Sequence, residues 1–187
     1  MRDPGNKHLK AWAGDYEETP FFFEEKSERG TRIFAWSDDP DQTQRTFYAL
    51  IESLPWDVNV LLKICVSTDE NNHPLWSRYH GVLDRSSLIK AVEANEEYVF
   101  SNGMHQLCVK DPDGDRYLAF DDHGIFFLYS PIPTDADLFR TLGFEERYAE
   151  PLFAKPHYQI APKDSDKMEQ KFVADLQLQA AESDLNQ

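Results

Sequence analysis

The chain has 187 residues, with 34 acidic and 19 basic side chains and a formal net charge of −15. Such a charge repels phosphate backbones and anionic bilayers, which disfavours nucleic-acid and anionic-membrane binding. A hydrophobic content of 41% suits one globular domain with appendages.

Residues 1–20 are polar and read as a mobile N-terminal arm, with Trp12 and Tyr16 as its docking side chains. The arm has no apolar run of signal-peptide type, and no stretch approaches the length of a membrane span. The expectation is therefore a soluble cytoplasmic protein. Phe21–Glu25 and Thr31–Trp36 predict a hairpin with its turn at Lys26–Gly30. Asp39-Pro40-Asp41 opens a predicted helix to about Leu54, with Asp39 as N-cap and Pro40 in the first helical position. Phe47, Leu50, Ile51 and Leu54 form its buried stripe, and Pro55 forces the exit. Val58–Val66 is a near-continuous apolar run and predicts a central strand covered on both faces. Ser67–His80 predicts a polar loop that holds His73, Trp76, Arg78, Tyr79 and His80. A brief strand at Val82–Leu83 follows. Asp84 then caps a helix to about Tyr98, with Leu88, Ile89 and Val92 inward.

His105–Tyr129 predicts a three-strand meander, the element on which the rest of the chain is organised. Asp113-Gly114 is a hairpin signal that calls for two residues with positive φ. It sets Val109 opposite Leu118, Leu107 opposite Phe120 and His105 opposite Asp122. A second turn at His123-Gly124 sets Phe120 opposite Phe127 and Leu118 opposite Tyr129; a loop at Asp122-His123 would change those pairs. Beyond the meander, Thr134 with Asp137 resembles a capping box for a helix carrying Leu138, Phe139 and Leu142, ended by Gly143. Residues 144–162 read as irregular, with a possible strand at Phe144–Tyr148. Asp166–Ala181 predicts an amphipathic helix with Met168, Phe172, Leu176 and Ala180 in one stripe. The fold class is α+β: a mostly antiparallel sheet, helices mainly on one face, a single domain over 21–150 and a C-terminal extension over 151–187.

Three groups of residues invite chemistry. Asp111, Asp113, Asp115 and Asp122 match positions 1, 3, 5 and 12 of a calcium loop. Position 6 is Arg116 and the flanks are strands, so a plain hairpin is the reading. His105, Asp121, Asp122 and His123 form the densest ligand set, with His73, His80 or His157 as a third element for zinc or iron. A neutral hydrogen-bonded histidine beside an aspartate is the alternative that fits the spacing better. Cys65 and Cys108 each sit in an apolar strand and read as small buried hydrophobes rather than nucleophiles. No phosphate-binding glycine loop, nucleophile elbow or zinc-protease motif occurs.

The run GMHQLCVKDPDGDRYLAF, Gly103 to Phe120, resembles the last hairpin of the vicinal-oxygen-chelate (glyoxalase and bleomycin-resistance) family, and the helix from Asp84 sits where that family's module places one. Members that use metal generally carry a Glu on the strand after the turn. Here that strand reads RYLAF, so the resemblance implies no metal site.

No cofactor is implied by any of these patterns. Trp, Tyr and Arg commonly anchor protein interfaces, which makes Trp76, Arg78, Tyr79 and His80 the expected partner-binding residues. Acidic groups at Glu17-Glu18, Glu24-Glu25, Asp38-Asp39-Asp41, Glu96-Glu97 and Glu145-Glu146 would steer a basic protein in. The first functional expectation is a non-enzymatic binding protein for a basic partner, of inhibitor or immunity type. A small-molecule or metal-dependent enzyme near His105/Asp122 is the second. An adaptor acting through the last helix is the third.

Overall fold

Alternating burial along the strands sorts the side chains of one large sheet into two faces. A computed structural model describes residues 10–12, 19–27, 30–68, 70, 74–132, 134–150 and 157–181. The elements are β1 (Ala11–Trp12), β2 (Phe21–Ser27), β3 (Gly30–Trp36), α1 (Pro40–Glu52), β4 (Asp57–Thr68), β5 (Pro74–Asp84), α2 (Arg85–Glu93), α3 (Glu96–Ser101), β6 (His105–Lys110), β7 (Tyr117–Phe120), β8 (Phe126–Ser130), α4 (Asp135–Thr141), β9 (Glu145–Glu146), β10 (Tyr158–Gln159), α5 (Ser165–Asp175) and β11 (Gln179–Ala180). The nine-stranded sheet runs β11-β5-β4-β6-β7-β8-β3-β2-β9, and β1 pairs separately with β10. Its pairs are antiparallel except β2–β9. The fold is α+β, and among the described residues no helix is long and apolar enough to cross a membrane.

One buried cluster joins Phe22, Ile33, Val60, Leu62, Leu107, Leu118 and Leu128 of the strands to Phe47, Leu88, Tyr98, Phe139 and Phe172, one from each helix. The opposite face holds a smaller cluster of Phe21, Phe23, Phe34, Trp36 and Ile125, which contains no helical residue. Local chemistry sets the helix starts. Asp39 accepts from Asp41 N at 3.0 Å, and Asp84 accepts from Ser87 N at 2.9 Å. Thr134 makes no side-chain cap bond, so the predicted capping box is not formed.

The β6–β7 register sets Leu107 opposite Phe120 and Val109 opposite Leu118, as the sequence predicts. The corner differs from the prediction. Neither Asp113 nor Gly114 has positive φ. Asp111 N donates to Arg116 O and Asp111 Oδ1 accepts from Asp113 N, both at 3.0 Å, closing a wider loop. A Cβ at 114 would lie 2.3 Å from Asp111 Oδ2, so any other residue there would push the Asp111 carboxylate aside.

The second turn is one residue out of the predicted register. Phe120 stands opposite Phe126, and Leu118 opposite Leu128. Asp121 causes the shift: its Oδ1 accepts from His123 N at 2.9 Å and Ile125 N at 2.7 Å, and Gly124 takes φ 77°. Phe126 therefore enters the helix-side core and Phe127 turns to the other face.

Three further expectations are corrected. The strand β4 is covered on one face only: Val58, Val60, Leu62 and Ile64 are buried, while Leu61, Lys63 and Cys65 are half-exposed. The predicted loop at Ser67–His80 is largely the strand β5, paired with β4 from Pro74 to Asp84. The predicted last helix stops at Asp175; Gln177 takes φ 52° and the chain continues as β11 beside β5.

Candidate functional site

The densest group of buried ionisable side chains lies where β1 and β10 cross the ends of β6 and the β7–β8 turn. The backbone contact comes first. Gly103 N donates to Ile160 O at 2.6 Å, and Ile160 N donates to Lys10 O at 2.8 Å. A Cβ on Gly103 would lie 2.3 Å from Lys10 O, so only glycine lets this segment approach so closely.

That contact buries Lys10, whose side chain is 2% exposed. Its ammonium donates to His105 O at 3.1 Å, reaches His105 Nε2 at 3.3 Å and sits 4.3 Å from the centre of the Phe120 ring. Burial lowers the Lys10 pKa to about 7, against the opposing pull of Asp121 and Asp122. His105 is fully buried and stacks on Tyr98 at 4.5 Å. Burial, then the Lys10 charge, holds its pKa well below the usual imidazole range. It is therefore neutral.

His105 does not meet Asp122, although the predicted register brings them together. Asp122 instead accepts from Gln106 Nε2 at 2.9 Å and Gln159 Nε2 at 2.6 Å. His123 Nδ1 lies 3.4 Å from an oxygen of Asp121 and 3.4 Å from one of Asp122. Burial alone would lower its pKa, but the two carboxylates raise it to about 9. Its Nε2 stands 3.0 Å from His157 Nε2. Two carboxylates thus face the Lys10 amine and the His123 imidazole.

One donor atom each from Asp121, Asp122 and His123 falls within 4.8 Å of the others, close enough to share a metal ion. The Lys10 ammonium already supplies positive charge beside those carboxylates. Of the three predicted auxiliary histidines, the structure brings in His157. It places His80 on the exposed strand β5, and His73 lies outside the described residues. Lys10 was missed by sequence reasoning: a single lysine in a polar N-terminal segment carries no local signal of burial. The calcium reading of Asp111–Asp115 finds Asp111 turned onto its own loop. Arg116 is turned inward, donating to both carboxylate oxygens of Asp135 at 2.9 and 2.8 Å.

The predicted partner residues divide between the two faces of β5. Tyr79 packs against the helix-side core. Trp76, Arg78 and His80 alternate onto the other face, where Arg78 is opposite Lys63 and His80 opposite Leu61.

No known protein family, curated protein or solved structure matches this chain. The likeness of Gly103–Phe120 and the helix from Asp84 to the vicinal-oxygen-chelate family has no support from these comparisons.

Proposed function

We infer that the protein is a non-enzymatic binding module that grips a basic protein partner, in the manner of an inhibitor or immunity protein. The observation that carries this reading is the net charge of −15, part of which is exposed on the helices. Asp41, Glu52, Glu93, Glu97, Asp137, Asp166 and Asp175 are all exposed there, spread over all five helices. Together with the net charge of −15, they would speed the approach of a cationic surface. The frame is the β6–β8 meander with helices packed on one side of the sheet. The test is affinity capture with wild-type protein and with Glu52→Lys/Glu93→Lys/Glu97→Lys. A basic protein retained by the first, lost by the second and released by about 0.5 M salt supports the reading. Capture unaffected by salt or by the charge reversal would count against it.

The metal-dependent alternative is favoured by the clustered donors of Asp121, Asp122 and His123. Thermal melts with zinc, manganese and iron separate the two. The binding reading expects the melting temperature to stay within about 1 °C, whereas a specific site should raise it by several degrees through mass action.

A further inference from the structure

We propose that the helix-free face of the sheet, across β5, β4, β6 and β7, binds a short acidic segment of a partner protein in extended form. The surface is distinct from the acidic helix layer and does not depend on it.

Register defines the surface. One row across the strands reads Arg78–Lys63–Gln106. The next reads His80–Leu61–Cys108–Ala119–Phe127. A third reads Val82–Asn59–Lys110–Tyr117–Tyr129–Arg32. The sheet alternation sends all of these side chains away from the helix-side core. Arg78, His80 and Lys110 are exposed and Lys63 is half-buried. Arg32 is held by Glu25 and by the Tyr129 hydroxyl. Among the described residues, Lys63, Arg78 and Lys110 have no carboxylate within ion-pair distance. By contrast, Arg116, Arg140, Lys167 and Lys171 are all paired. The acids nearest the surface are Glu25, Asp57, the Asp111–Asp115 loop and Asp122, which accepts from Gln106 at one end of the first row.

An acid-rich chain has thus gathered cations and aromatic rings on one face. Charge complementarity selects an anionic occupant, and spacing describes it. Lys63 and Arg78 are direct cross-strand partners, about 5 Å apart at Cβ, and suit a single carboxylate. Lys110 pairs with Asn59, four residues along β4 from Lys63, or about 13 Å away. Between their rows lies Leu61, and Tyr117 stands beside Lys110 on the side away from Asn59. An extended peptide with the pattern acid-x-apolar-x-acid places its alternate side chains on these three points. A nucleic acid has a far denser negative charge, which the net charge of −15 repels.

The test uses the full chain and fluorescein-labelled Ser-Glu-Ser-Leu-Ser-Glu-Ser, with the Gln-for-Glu peptide and a single-stranded RNA oligomer of equal length as competitors. Fluorescence anisotropy should show saturable binding of the acidic peptide, weakened at least tenfold by the glutamine changes. Lys63→Glu/Arg78→Glu should weaken it at least tenfold, and Lys110→Gln several-fold. Lys90→Gln, on the helix side, should change nothing. All four positions are at least partly exposed, and circular dichroism melts check that each variant folds. The proposal is overturned by absence of saturable binding to folded wild type, by equal binding to the reversed variant, or by tighter binding of the RNA. Sedimentation that shows self-association abolished by the same reversal would assign the face to a second copy and also overturn it. The helix-layer substitutions Glu52→Lys/Glu93→Lys/Glu97→Lys should leave peptide binding intact, so the two surfaces fail or succeed separately.

Discussion

Lys10 and His123 are two cations beside the same carboxylates, with pKa values shifted in opposite directions. Lys10 falls from 10.5 in a free side chain to about 7. Between those values the unfolded chain holds more protons, so this group makes stability rise with pH. His123 rises from 6.5 to about 9. Its stabilisation is complete below pH 6.5 and is lost as pH climbs through 9. The two slopes oppose each other between pH 7 and 9, and the wild-type protein should be nearly flat there. Denaturant melts at pH 7, 8 and 9 should show Lys10→Met losing stability with rising pH and His123→Gln gaining it. Slopes of the same sign in both variants would disprove the assignment. Arg116 and Asp135 make a different kind of pair, bidentate and with both side chains nearly buried. Asp135→Asn leaves the guanidinium without its counter-charge and should cost about 3 kcal/mol in the same melts. The caps Asp39 and Asp84 were legible because a cap bonds within its own turn. Lys10 was not, since its environment is made by residues about a hundred positions away.

At the scale of elements, the last helix is the clearest case of partial legibility. The stripe Met168, Phe172, Leu176 was correctly read as apolar, and Phe172 and Leu176 are buried in the main core. Its extension to Ala180 failed because Gln177 leaves helical φ and β11 takes up the open edge of β5. Lys171 completes the join, donating to Asn95 Oδ1 at 2.9 Å and Ala94 O at 3.1 Å near the end of α2. Phe172→Ala should therefore cost about 3–5 kcal/mol. Removing residues 164–187 should give a protein with no cooperative thermal transition. A truncated chain that melts cooperatively would instead favour the adaptor role for this segment. The strand β5 escaped detection for a related reason. Its inward face includes Ser77 and Gly81 as well as Tyr79, and its outward face mixes Arg78 and His80 with Trp76 and Val82, so its alternation does not look hydrophobic.

Across the whole molecule, the net charge of −15 conceals an uneven distribution. Exposed acids are spread over all five helices and the loops, while Lys63, Arg78 and Lys110 stand together on the sheet face. A single steered partner was the natural reading of the total charge. The two surfaces proposed above call for partners of opposite charge, one basic and one acidic. Binding at each face should weaken with salt, and because the faces are separate, charge reversals on one should leave the other unchanged in affinity within about twofold.

Local patterns alone determined the hairpin at β2–β3, the start of α1, the apolar run of β4 and the β6–β7 register, because each depends on residues near one another in the chain. Only the tertiary structure decided which face of β4 is left open, where the second turn falls and what surrounds Lys10. Two of those outcomes depend on neighbours brought in from distant strands, with Lys10 pressed against Gly103 and β11 laid along β5; the turn is selected between two local placements by the Asp121 side chain bonding across it. Burial and charge are properties of the assembled surface, and a linear pattern contains them only after the strand order is known.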